Sequence, residues 1–320
     1  MLGADGVSPQ FQQRVAETAP DRALRDAGLR FAAAAAYLIG VAFVGRGGPA
    51  HWLLAAVFVA IPITIAPVTR LLLDLLPFAL FAAVYDLLQM ARPLVVARGV
   101  HVAWPYWFDK WAFGLGGLHQ RVSFNELFAA HHWAIVDFLT GCAYLSYIYA
   151  VLLFAVFIAF VDRTHAGTQR RRALGWTFFG VNMAATITYL LYPVAPPWYV
   201  TKFGFGPVDV GTAADPAALV RWDAMVGVPY FHHFYAHASD VFGSMPSMHC
   251  AYPALLLLYG LEPRRPRLSA GLAAFALLMC FSAVYLQHHY ISDIVVGLLF
   301  SLLGYHVERF ISDRDVATAS

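Results

Sequence analysis

A chain of 320 residues that is 60% hydrophobic and only 12% charged, with a mean hydropathy of +0.62, departs far from the make-up of a soluble globular domain, and lipid is its expected solvent. Its 21 basic and 19 acidic residues leave a net charge of +2, which excludes the clustered Lys/Arg footprint of a nucleic-acid binder. Cys142, Cys250 and Cys280 are odd in number, far apart and without metal-ligand spacing, so they read as small buried hydrophobes.

Residues 1–28 are polar, and no small-residue cleavage pattern follows the apolar run at 31–45, so this segment is expected to stay as a cytoplasmic N-terminal tail. A helix that crosses the hydrocarbon needs about 20 apolar residues. Eight stretches qualify or come close, near 29–45, 51–68, 71–91, 134–161, 173–193, 247–261, 267–287 and 290–311. The sixth is short and is expected to begin inside a loop packed against protein. The fold class is therefore all-α, a polytopic membrane bundle of about eight transmembrane helices, with 29–320 as a single membrane domain.

Alternating the gaps across the membrane from an inside N-terminus puts 14 of the 21 basic residues on the cytoplasmic side, including Arg163 and the arginines at 170–172. This bias predicts both termini in the cytoplasm and segments 92–133, 194–246 and 287–290 on the extracytoplasmic side. Segment 99–124 is dense in Trp, Tyr, Phe and Gly, which suits a piece lying at the headgroup level. Segment 194–246 opens with APPWY and is too long for a bare loop, so it is expected to pack as an extracytoplasmic cap.

Two stretches put ionisable groups where lipid makes them expensive, and such groups are functional candidates. In GSMPSMH (243–249), Ser244 is expected to cap a helix whose first turn accepts Pro246, leaving backbone N–H groups for an anion. In HHYISD (288–293), His289 and Asp293 are four apart and on a helix share one face. The carboxylate then accepts one ring N–H of the imidazole and leaves the other nitrogen to attack, while a second histidine protonates the departing oxygen. Taken alone, such a pair is more often a satisfied buried contact than a catalytic one. The His pairs 131–132, 232–233 and 288–289 invite a zinc reading, but adjacent residues on a helix do not share a face and no Cys or carboxylate spacing completes a site.

The ordered set YDLLQMARP (85–93), APPWY (195–199), RWDAMVG (221–227), GSMPSMH (243–249) and HHYISD (288–293) resembles the type-2 phosphatidic acid phosphatase superfamily, and within it the fungal inositol phosphorylceramide synthases. The resemblance implies a six-helix catalytic core with His289 as nucleophile, Asp293 as its orienting partner, and His249 as the acid for the leaving group and then the base for the acceptor. Phosphate oxygens would be held by Gly243, Ser244 and Ser247 and by Arg92. The superfamily's first motif carries a Lys where this chain has Tyr85, and its third motif an Arg where this chain has Ala283. A phosphodiester carries less charge than a monoester, so the thinner cation set points to a diester donor, with Arg221 or Lys202 of the cap as the residues that would supply the lost charge.

What the resemblance implies is a lipid phosphotransferase that moves a phosphoinositol-like headgroup from a glycerophospholipid donor to the hydroxyl of a ceramide-like acceptor, with no metal and no cofactor. The alternative enzyme is a lipid phosphate phosphatase acting on phosphatidate or polyprenyl phosphates. A reading from another class is a transporter or scaffold whose His and Asp form a proton relay.

Overall fold

The computed structural model describes residues 52, 55, 66–87, 92–117, 120–162, 164–236, 238, 241–261 and 265–319. The polar tail, the predicted span at 29–45 and most of that at 51–68 lie outside the described residues. Helix α1, Ala66–Leu87, runs without interruption through Arg70, where the sequence reading placed a break between two spans. Nothing at 69–70 breaks a helix, because neither Gly nor Pro stands there. Residues Leu80–Ser320 form one compact unit.

The helices that follow are α2 (Arg92–Arg98), α3 (Ala103–Phe113), α4 (Phe124–Ala130), α5 (Ala134–Val161), α6 (His165–Leu191), α7 (Pro197–Phe203), α8 (Val220–Val226), α9 (Tyr230–Ala236), α10 (Met248–Gly260), α11 (Pro266–Tyr285) and α12 (Ile291–Ala319). Among the described residues there is no strand, only isolated bridges such as those joining Val194 to His101 and to Gly243. The all-α bundle is thus observed. Among the described residues four helices, α5, α6, α11 and α12, are long and apolar enough to cross a membrane. Of these, α6 begins eight residues before the predicted 173, because Thr164 caps it by accepting from Gly167 N and the arginines at 170–172 continue the helix as good helix formers.

Helix α10 is the short sixth span. Its 13 residues rise about 20 Å, less than the hydrocarbon thickness, so it does not cross by itself. It packs instead against α5, α6, α11 and α12, with Cys250, Ala251 and Leu255 fully buried. The entry to α10 passes so close to α12 that a Cβ on Gly297 would stand 2.3 Å from the carbonyl oxygen of Ser247.

Segment 194–246 folds back on itself: Val194 N donates to Phe242 O at 2.7 Å, so the segment starts and ends at one point. Pro197 sits in the first turn of α7. Trp222 of α8 lies over α5 at Gly141, where a Cβ would meet its ring at 2.2 Å. The Asp223 carboxylate caps α9 by accepting from Phe231 N and His232 N at 3.0 and 2.9 Å. The segment's described residues thus contact one another and α5. On α3, Trp104, Trp107 and Trp111 line one exposed face, while Asp109 is buried on the other, toward α12.

Candidate active site

The turn from α11 to α12 carries His289, the expected nucleophile. Helix α11 ends at Tyr285, Gln287 takes a left-handed conformation with φ of 68°, and the N–H groups of His288 and His289 both donate to the Ala283 carbonyl, at 3.1 and 3.0 Å. Ala283, the position of the absent arginine, is fully buried and acts through its main chain. Helix α12 then begins at Ile291, which places Asp293 in its first turn. Asp293 Oδ2 accepts from Tyr290 N at 2.9 Å, the returning half of a capping box.

His289 therefore precedes the helix and does not share a helical face with Asp293, as the spacing alone suggested. Its Nδ1 lies 2.9 Å from the Ser244 carbonyl oxygen and 3.6 Å from Asp293 Oδ2. The carbonyl can only accept, so Nδ1 carries the proton and Nε2 presents its lone pair. Asp293 works one step back: its Oδ2 accepts from Ser244 Oγ at 2.6 Å, and its carbonyl accepts from Ser247 N at 2.9 Å. Because the Ser244 hydroxyl is committed to Asp293, it does not cap a helix. Ser247 is the N-cap of α10, with Pro246 in the loop before it, and the buried Ser247 Oγ has no oxygen or nitrogen partner among the described residues. Gly243 contributes its backbone to the bridge with Val194.

His249, in the first turn of α10, brings its Nδ1 to 2.9 Å from His289 Nε2. With the lone pair on Nε2, the proton of this bond belongs to His249. The His249 ring is held between Tyr144 and Tyr147, at centroid distances of 4.2 and 4.3 Å. The stack continues from Tyr144 through His288 to Tyr235, at 5.1 and 4.9 Å. His288 Nε2 donates to the Pro216 carbonyl at 3.2 Å, and burial, with His289 adjacent, pushes its pKa down to about 3. His288 is neutral and turned toward Pro216, so His249 is the histidine whose ring nitrogen meets His289 Nε2.

The supplementary cations are engaged elsewhere. Arg221 donates from Nε to Asp137 Oδ1 at 2.8 Å, with Nη2 at 2.7 Å, and its guanidinium lies over Tyr285. Lys202 is paired with Asp215 within segment 194–246. The Arg92 side chain lies outside the described residues. Tyr85, in the place of the superfamily's lysine, lies on α1 with its ring 5.9 Å from that of Phe81.

Two supporting residues escaped the sequence reading. Asn125 is buried, and its Nδ2 donates to the carbonyls of Val284 and His289 at 3.1 and 3.2 Å, while its own carbonyl accepts from Gln287 Nε2 at 2.9 Å. Asp109 Oδ1 accepts from Ser292 N at 2.9 Å. Burial, together with the nearby Asp293, raises Asp109 to about 6. An acid inside an aromatic, apolar stretch was the signal for Asp109. Asn125 had none, since SFNE (123–126) announces a capping box and says nothing of the residue inside it.

Residues 115–307 match the sequence family described as the PAP2 superfamily. The chain is similar to a phosphoinositol dihydroceramide synthase of Bacteroides thetaiotaomicron, with 33% identity over 80% of this chain and 82% of that protein. It is also similar to the inositol phosphorylceramide synthase of Candida albicans, with 29% identity over 43% of this chain and 29% of that protein. The inositol phosphorylceramide synthase catalytic subunit of Schizosaccharomyces pombe is 29% identical over 40% of this chain and 30% of its own length. No solved structure matches the chain.

Proposed function

Because this chain belongs to the PAP2 superfamily, we propose that it transfers a phosphoinositol headgroup from a glycerophospholipid to the hydroxyl of a ceramide-type lipid, through a phosphohistidine at His289. The observation that carries this reading is the His249–His289 pair, whose 2.9 Å contact joins a proton donor to a nitrogen lone pair. The names of the similar enzymes supply the lipid classes.

In the first half-reaction the donor phosphate enters in place of that contact. His289 Nε2 attacks phosphorus, the ester bond to the diacylglycerol oxygen breaks, and His249 Nδ1 gives that oxygen its proton. The substituted His289 ring is cationic while its Nδ1–H stays on the Ser244 carbonyl, with Asp293 behind it at 3.6 Å. In the second half-reaction His249 takes the proton of the acceptor hydroxyl, whose oxygen attacks phosphorus and breaks the N–P bond. A diester suits a site whose cap cations already hold carboxylates, since it brings one negative charge rather than nearly two.

In the membrane, this reading puts the ends of α5, α6, α10, α11 and α12 that carry the site, and the cap 194–246, on the extracytoplasmic side, with both termini in the cytoplasm. The positive-inside bias supports it. The cap then keeps water from the phosphohistidine until the lipid acceptor arrives.

The test is purified protein in mixed micelles with a ceramide and a panel of glycerophospholipids, the products being identified by mass spectrometry beside His289→Ala. A phosphosphingolipid formed together with diacylglycerol, and absent in the variant, is the expected result. Release of inorganic phosphate from lipid monoesters alone would replace the transferase by a phosphatase.

A further inference from the structure

Two stretches singled out in the sequence, APPWY and RWDAMVG, take no part in the transfer chemistry, nor does Gln287, the residue just before HHYISD. They meet. Trp198, Arg221 and Gln287 line one cavity of about 550 Å³ in the cap, open on one side, whose walls are otherwise mostly small residues, largely alanines. The wall is continuous with the catalytic turn, because Trp198 N donates to the Gln287 carbonyl at 3.0 Å. Pro216, whose carbonyl accepts from His288 Nε2, lines it too. Gln287 stands two residues before His289, so their Cα atoms are at most about 7 Å apart.

The polar groups of this cavity define its ligand. Gln287 is only 7% exposed, its Nε2 is spent on the Asn125 carbonyl, and its Oε1 is buried with no hydrogen-bond partner among the described residues. A buried acceptor without a donor is costly, and a ligand O–H removes that cost. The cations of the cavity, Lys202 and Arg221, are each matched by a carboxylate, Asp215 and Asp137, so no net charge is left for an ionic headgroup to neutralise.

We propose that this cavity is the headgroup subsite, holding a neutral cyclic polyol esterified to the phosphate, with Gln287 Oε1 as acceptor for one of its hydroxyls. The assignment rests on the transferase reading and adds to it the place where the headgroup is told from others. Ammonium headgroups lack the hydroxyls, and the carboxylates that could receive their charge, Asp215 and Asp137, are already held by Lys202 and Arg221. Phosphatidate, with no headgroup beyond its phosphate, does not enter the cavity.

The experiment reads binding without turnover. In the His289→Ala background, Ala213→Phe and, separately, Ala129→Phe fill the cavity from two different elements at exposed positions outside the catalytic machinery. Affinity for a phosphoinositol lipid and for phosphatidate is measured in micelles by native mass spectrometry. The expected result is a loss of at least about tenfold for the phosphoinositol lipid, with phosphatidate unchanged. Unchanged affinity for both lipids in both variants overturns the subsite, and so does an equal loss for both. Absence of transfer by the wild-type protein refutes the function instead, and is read in a separate assay.

Discussion

The 2.9 Å bond between His249 Nδ1 and His289 Nε2 has a fixed direction, because the Ser244 carbonyl holds the His289 proton on Nδ1 at the far side of the ring. The donor of the pair is His249. Replacing it by Asn keeps an N–H at about the same place but removes a group able to exchange its proton. His249→Asn is expected to fold normally and lose about 10²- to 10⁴-fold in kcat, the usual contribution of general acid–base catalysis. Steady-state transfer assays check this, with circular dichroism as the control for folding.

Asp293 reaches His289 through Ser244 rather than directly, and this makes a prediction about coupling. Ser244→Ala breaks the 2.6 Å bond to Asp293 Oδ2 but keeps the carbonyl that holds Nδ1. A hydrogen bond to a charged group contributes about 1.5–3 kcal/mol, so a loss of about 10- to 100-fold in kcat is expected. In the Asp293→Ala background the same change should cost almost nothing more. Additive losses in a double-mutant cycle would mean that the carboxylate acts on the imidazole independently of Ser244.

Asp109 gives the fold a pH dependence of unusual sign for an acid. Its folded value of about 6 lies above the ordinary 3.8, so between those values the folded protein holds more protons than the unfolded chain. The contribution is fully present below about 4, falls as pH rises through about 6, and is constant above it. Asp109→Asn keeps an oxygen for Ser292 N and removes the titration. Thermal unfolding in detergent between pH 4 and 7 should show a downward slope in the wild type that is flatter in the variant.

Much of the candidate site was legible because ionisable residues in apolar stretches are rare, but the four-residue spacing of His289 and Asp293 pointed to a shared helical face, whereas the helix starts only at Ile291. Helix α5 is bounded at 134–161 in the sequence and in the structure, since Asp137 is its one charged residue and neither Pro nor a charge run interrupts it. The start of α6 was missed because three arginines look like a loop in a hydropathy profile while being compatible with a helix. The acceptor for His289 was missed for a deeper reason: it is a main-chain carbonyl, present at every residue, and only the fold brings that of Ser244 to the ring. Arg221 was read as a source of charge for the phosphate, yet its partner is Asp137, 84 positions away. Contacts across such separations leave no trace in local pattern.

Asn125 shows how such a distant contact can govern rate. Its amide holds two carbonyls of the catalytic turn, that of His289 among them, from a helix more than 150 positions earlier in the chain. Asn125→Asp exchanges the donor for oxygens that face those carbonyls, so the turn should shift away and carry the imidazole with it. Displacement by about 1 Å can cost about 10²-fold in rate. Since Asn125 lines neither the cap cavity nor the histidine pair, kcat should fall while KM for the donor lipid stays within about twofold. Asn125→Ala, which leaves the carbonyls unbonded but not repelled, should fall between the wild type and Asn125→Asp. If both variants raised KM and left kcat intact, Asn125 would belong to substrate binding and not to the positioning of His289.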